Sequence, residues 1–161
     1  MRMLFLGQAN VRKGIHDLVE AARLLGDGPW RFDVVGRYEA IPAGVPAFVV
    51  FHGQVPRSEA KAWYDGADVF LLPTHSDGFA LTQIEAMAHG LPVLATSCCG
   101  EVVRNGVNGV IFPVGDPEAL AGVIRSLALE PRRLEPMSRA ACETVREFGI
   151  DRVARGLLGP G

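Results

Sequence analysis

Two carboxylates, Asp77 and Glu85, bracket a glycine and a helix-forming run in the stretch THSDGFALTQIEAMAHGLPVLAT, Thr74 to Thr96. Gly78 directly follows the first acid, and Phe79, Ala80, Leu81 and Thr82 open the helical run. A glycine lets the backbone approach a ligand with no Cβ in the way. The first amides of a helix have no partner within it, so a helix starting here offers N–H groups to an anion. Carboxylates accept hydrogen bonds from ribose or sugar hydroxyls. Together these are the parts a nucleotide site needs. A plainer reading makes Asp77 a helix-capping acid and Glu85 an exposed helix residue, although a solvated acid fits poorly inside the apolar run IEAMA.

A second stretch, GQANVRKG (Gly7 to Gly14), places Arg12 and Lys13 where a helix follows a strand. Cations at that end oppose the helix dipole, a cost that an incoming anion would offset. Two solvated surface cations would read the same way. The stretch is neither GxxxxGK[ST] nor GxGxxG, so neither common phosphate loop is present. A third stretch, HGQVPRSE, stands to border a base or a sugar, and alone it is a weak signal.

The elements that must position these residues follow from periodicity and punctuation. MRMLFLG, RFDVVG, FVVFHG, DVFLLP, LPVLAT and GVIFP are short apolar runs bounded by Gly or Pro, which predicts buried strands. Between the first two, Ile15, Leu18, Val19, Ala22 and Leu25 recur on one helical face, ended by Gly-Asp-Gly. PRSEAKAWYDGA and ALTQIEAMAHG predict two more helices, the second closed by a glycine at C′. Asp116 and Pro117 have the types expected at the N-cap and N1 of GDPEALAGVIRSLALE. Pro131 opens a further helix to about Phe148, EVVRNG predicts a short helical turn, and IDRVARGLL a last amphipathic piece. Strands alternating with helices give βαβ units and a doubly wound, mostly parallel, Rossmann-like α/β sheet, whose ligands lie beyond the carboxyl ends of the strands.

Composition narrows the function classes. The chain has 161 residues, 48% of them hydrophobic, with a formal charge of −2, which suits one domain with a real core and no basic field for nucleic acid. Three cysteines, Cys98, Cys99 and Cys142, lack CxxC spacing and point to structural thiols in a reducing compartment. No run approaches a membrane span and no signal-peptide core opens the chain, so the expectation is a cytoplasmic protein.

Taken in order, these motifs resemble the nucleotide-sugar half, the C-terminal half, of a GT-B fold glycosyltransferase of the retaining family 4. FLGQANVRKGIHDLVEAARLL, FDVVGR, the region from VVFHGQ to LPVLAT, NGVNGVIFPVGDPEALAGVIRSLA and FGIDRVARGLL carry the likeness over nearly the whole chain. The resemblance implies that Lys13 binds the donor diphosphate. Gln8 stands where a partner arginine is usual, and Arg12 is placed to compensate. Asp77 matches the acid that meets the donor sugar, one methylene shorter than the usual glutamate. Glu85 matches the acid that binds the ribose hydroxyls, Gly78 to Thr82 the loop and helix start that hold sugar and phosphate, and Val55 a residue near the base. TSCCGEVV is shorter than the usual glycine-containing loop, so no role passes to Glu101.

The implied reaction moves a sugar from a nucleoside diphosphate to an acceptor hydroxyl with retention, without cofactor or bound metal, and no DxD-like pair is present. The catalytic residues it implies are Lys13, Arg12 and Asp77. Residues 1–161 then form a single donor-binding domain, an excised piece or a truncated gene product, with the N-terminal acceptor domain, and any membrane association through it, absent. Such a domain is expected to bind nucleotide weakly and to transfer nothing alone. Two other classes share the fold: a non-catalytic nucleotide-binding or assembly module, and a GT-B-like enzyme such as a sugar epimerase. A phosphorylase would need a cofactor lysine late in the chain, where none occurs beyond Lys13 and Lys61.

Overall fold

A computed structural model describes residues 1–77, 80–99 and 101–148. Six strands, β1 (Arg2–Leu6), β2 (Arg31–Val35), β3 (Val49–Gly53), β4 (Val69–Leu72), β5 (Val93–Thr96) and β6 (Gly109–Phe112), form one sheet in the order β3-β2-β1-β4-β5-β6. Every pairing is parallel, as the near-continuous apolar strands require. The order reverses between β1 and β4, where Met3 lies beside Val69 and Leu4 beside Phe70. In open α/β sheets that reversal leaves a crevice at the carboxyl ends of the strands.

Alternating strand residues feed two cores. Met3, Phe5, Phe32, Val34, Val69 and Leu71 face α1 (Ile15–Leu25) and α4 (Pro117–Leu129). Leu4, Val35, Phe70, Leu72, Val93 and Ala95 face α2 (Ala60–Asp65), α3 (Leu81–Ala88) and α5 (Leu134–Glu147). Burying each of these larger side chains contributes about 1.5–3 kcal/mol. The predicted stripe of α1 is buried at Ile15, Leu18, Val19, Ala22 and Leu25. Asp116 caps α4, its Oδ1 accepting from the Ala119 amide at 2.8 Å, with Pro117 in the first turn.

EVVRNG departs from expectation. It forms turns rather than a helical turn, because asparagine side chains compete for the backbone there. Asn108 Oδ1 accepts from the Arg104 amide at 2.7 Å, and Asn105 Oδ1 accepts from the Ile111 amide at 2.9 Å. Asn108 is fully buried and also donates to Thr144 Oγ1 at 2.9 Å, fastening the segment to α5. The predicted piece IDRVARGLL lies outside the described residues.

One close approach fixes the geometry at the crevice. Gly14, at φ 73° between the 3-10 turn Val11–Lys13 and α1, stands so close to the Pro73 carbonyl that a Cβ would sit 1.8 Å from its oxygen. Gly14→Ala is therefore expected to cost about 3 kcal/mol, from the left-handed backbone and the overlap together, and a urea titration checks it. A second stability element is Asp33 on β2, almost fully buried yet bonded by Arg2 Nε at 2.7 Å, Arg31 Nε at 3.1 Å and His52 Nε2 at 2.7 Å. Burial alone raises its pKa, but the bonds from Arg31, Arg2 and His52 outweigh it and hold the carboxyl below its ordinary 3.8. A carboxyl depressed in the folded state stabilises fully above its unfolded value, and that stabilisation disappears as pH falls through the folded one. The urea midpoint of the native chain is thus expected to fall more steeply with acid below about pH 4 than that of Asp33→Asn.

Candidate functional site

Three loops meet beyond the carboxyl ends of β1, β4 and β5. The Arg12 carbonyl accepts from the His75 amide at 2.8 Å and from Thr74 Oγ1 at 3.0 Å, joining the first loop to the second. Thr96 Oγ1 donates to the Thr74 carbonyl at 2.6 Å, and the Asp77 amide donates to the Cys98 carbonyl at 3.2 Å, joining the second to the third. Gln83, fully buried on α3, donates from Nε2 to the Cys99 carbonyl at 2.7 Å. These bonds satisfy backbone groups that have left the sheet, so they hold the loops in one arrangement.

Within it, Lys13 Nζ forms an ion pair with Asp77 Oδ2. Asn10 accepts from the Lys13 amide at 3.0 Å and so caps the short turn that carries the lysine. Both charged side chains are largely shielded, at 19% and 14% exposure, which removes the solvated-cation reading of Lys13. Asp77 is also not the cap of α3. That position belongs to Ala80, with no side-chain hydrogen bond, and the helix begins at Leu81. The N-cap residue therefore offers no side chain to the first amides of α3, and the Gln83 amide donates to the Ala80 carbonyl at 3.1 Å.

A cavity of about 520 Å³ reaches the first residue of α3 and is lined in part by Gly7, Gly36, Val55, Arg57, Leu81 and Glu85. Gly36 lets the backbones of two lining loops meet: a Cβ there would come within 1.9 Å of the Gly7 carbonyl oxygen, and its φ of 133° favours glycine. Glu85 is half-buried on the wall. Its Oε2 accepts from Tyr64 Oη at 2.9 Å, and Arg57 lies 3.9 Å from Oε1 at the rim. Burial, then the negative charge of Glu85, pushes the Tyr64 phenol well above its ordinary range, so it remains a donor.

The structure thus brings Val55, Leu81 and Glu85 to one cavity and Lys13 and Asp77 to one ion pair, with Ala80 and Thr82 in the helix start. Gln8 and Arg12 are exposed on the first loop, where Arg12 acts through its carbonyl. Gly78 and Phe79 lie outside the described residues. Tyr64, Arg57 and Gly36 escaped the sequence reading. Only Gly36 left a signal, since it ends its strand as Gly7 ends β1. Cys99 is buried, and burial pushes its thiol up, as a structural cysteine requires.

A doubly wound parallel sheet, with its polar cluster at the strand-order reversal, is the architecture of the C-terminal domain of GT-B glycosyltransferases. Sucrose-phosphate synthase from Thermosynechococcus elongatus superposes with a TM-score of 0.83 at 26% identity, over 95% of this chain and 42% of that one. HepE of Anabaena, solved in complex with UDP, has the same fold, with a TM-score of 0.80 at 20% identity over 97% of this chain and 48% of that one. The chain belongs to the glycosyl transferases group 1 family, whose profile matches residues 1–130. A relative in Xylanimonas cellulosilytica, a D-inositol 3-phosphate glycosyltransferase, is 34% identical over 97% of this chain and 40% of its own length. The chain therefore spans about two fifths of that curated relative. Among the described residues, no helix is long and apolar enough to cross a membrane.

The Lys13–Asp77 pair is shielded enough to register in stability. A double-mutant cycle with Lys13→Met and Asp77→Asn is expected to give a coupling of about 1 kcal/mol by urea unfolding, and additivity of the two would exclude the pair.

Proposed function

We propose that this chain is the donor-binding domain of a retaining glycosyltransferase and holds a nucleoside-diphosphate sugar at the junction of β1 and β4. The observation that carries the reading is that Leu81, the first residue of α3, lines the cavity, while Lys13 pairs with Asp77 shortly before that helix. On one side are a shielded lysine and an uncapped helix start; on the other is a cavity with a glycine floor and a carboxylate wall. In this reading the base enters along Val55, Glu85 takes the ribose hydroxyls, and the diphosphate lies between Lys13 and the amides at Leu81 and Thr82. Asp77 faces the sugar. The UDP bound to HepE fits the same ligand class.

As the bond from the anomeric carbon to the leaving oxygen breaks, negative charge grows on the diphosphate. Lys13 and the helix-start amides are fixed before that charge appears, which is where preorganised groups lower a barrier. The pairing with Asp77 keeps the lysine in place when the site is empty, and the diphosphate takes over its charge on binding. Acceptor binding and closure belong to the remainder of a full-length transferase, so the isolated chain binds donor without transferring it.

Calorimetric titration with UDP, GDP and ADP tests the assignment. One of the three is expected to bind saturably, and Lys13→Ala and Glu85→Ala are each expected to weaken it about tenfold or more, the effect of losing a charge-assisted hydrogen bond. Binding unchanged in both variants would place the nucleotide elsewhere. Robust sugar transfer by this chain alone would contradict the division of labour.

A further inference from the structure

Behind the cavity wall, α2 grips α3 at two points one helical turn apart. Tyr64 Oη donates to Glu85 Oε2 at 2.9 Å, and the neighbouring Asp65 Oδ1 meets His89 Nδ1 at 2.7 Å. The Tyr64 ring cannot swing away from this contact. It is 2% exposed, stacks on the His89 imidazole at 5.1 Å with 13° between planes, and packs on Phe70 at 5.9 Å. A phenylalanine would fill the same space, so the hydroxyl has one evident use, its bond to Glu85.

The two oxygens of Glu85 are therefore unequal. Oε2 is held from behind by a neutral donor fixed in the core, whereas among the described residues Oε1 has Arg57 beside it, whose side chain is 69% exposed at the rim. A carboxylate that receives two adjacent hydroxyls must keep its plane fixed, because each hydroxyl donates along a narrow range of directions. A glutamate has three side-chain torsions to fix, and burial of its stem does not set the last of them.

We propose that Tyr64 is a positioning residue that sets the plane of the Glu85 carboxylate for the vicinal hydroxyls of the donor's ribose. This role rests on the donor-site reading and extends it to a residue that never touches the ligand. The phenol shapes affinity for the ribose alone, while base and diphosphate contacts are unaffected. Because the hydroxyl stays protonated throughout the neutral range, its effect is independent of pH there.

The test compares native chain, Tyr64→Phe and Glu85→Gln in titrations with the nucleoside diphosphate the native chain binds and with its dideoxy analogue lacking both ribose hydroxyls. Tyr64→Phe is expected to weaken the ribonucleotide about tenfold, the equivalent of one hydrogen bond, and to leave the dideoxy analogue unchanged. In the Glu85→Gln background the tyrosine substitution is expected to add little further. Equal loss for both ligands, or no loss for either, overturns the positioning role. No binding of UDP, GDP or ADP by the native chain overturns the donor-site reading itself, and this role falls with it. A readout that does not depend on the variant's folding comes from fluorotyrosine labelling. The chain has two tyrosines, so a Tyr38→Phe background leaves Tyr64 as the one labelled ring. Its fluorine resonance is expected to shift with the ribonucleotide and not with the dideoxy analogue, and a resonance that ignores both also overturns the role.

Discussion

The contact on which the rest of the site depends is backbone against backbone: Gly14 pressed on the Pro73 carbonyl where strand order reverses. Parallel strands β1 and β4 diverge beyond this point, and their loops would separate without something small between them. Because Gly14 has no side chain, the loop after β1 can lie directly on the exit of β4. Lys13 and Asp77, far apart in sequence, then become partners. The threonines complete the arrangement, with Thr74 reaching the first loop and Thr96 reaching Thr74.

Several buried polar groups of the scaffold are paired, whereas the start of α3 receives no bond from a side-chain cap. Asn108, Asp33 and the side-chain amide nitrogen of Gln83 all have partners in the interior. The start of α3 has no side-chain cap. A cap there would stabilise the helix by about 1 kcal/mol and would also occupy the amides that an anion needs. Among the described helices α1 to α5, α4 alone has a side-chain N-cap bond, from Asp116.

Much of the fold was legible because apolar periodicity is a local signal. Each of the six predicted strands exists, and the buried stripe of α1 matches residue by residue. EVVRNG was misread because asparagine hydrogen bonds to amides several residues away decide its shape, and they become visible only when β6 is placed. The site was legible in part. Lys13 and Glu85 carry chemistry in their types, and their surroundings are consistent with the roles given to them. For Asp77 the sequence allows a cap or a ligand-facing acid, and the structure removes the cap, since Ala80 holds that position and Asp77 pairs with Lys13. Tyr64 could not be singled out, since an aromatic residue on a short amphipathic helix reads as core. Only the three-dimensional pairing of α2 with α3 reveals its hydroxyl's partner.

The strand order has a consequence for how the chain acquires its structure. β1 occupies the middle of the sheet, yet its neighbour on one side, β4, comes after β2, β3 and two helices have been laid down. The central pairing of Met3 with Val69 therefore closes a long loop, and the entropy of that closure precedes any reward from the second core. Such a topology folds slowly relative to helical bundles of the same size. The β1–β2–β3 half can pair before β4 is present, and the arrival of β4 along the open edge of β1 is the event that brings Pro73 onto Gly14.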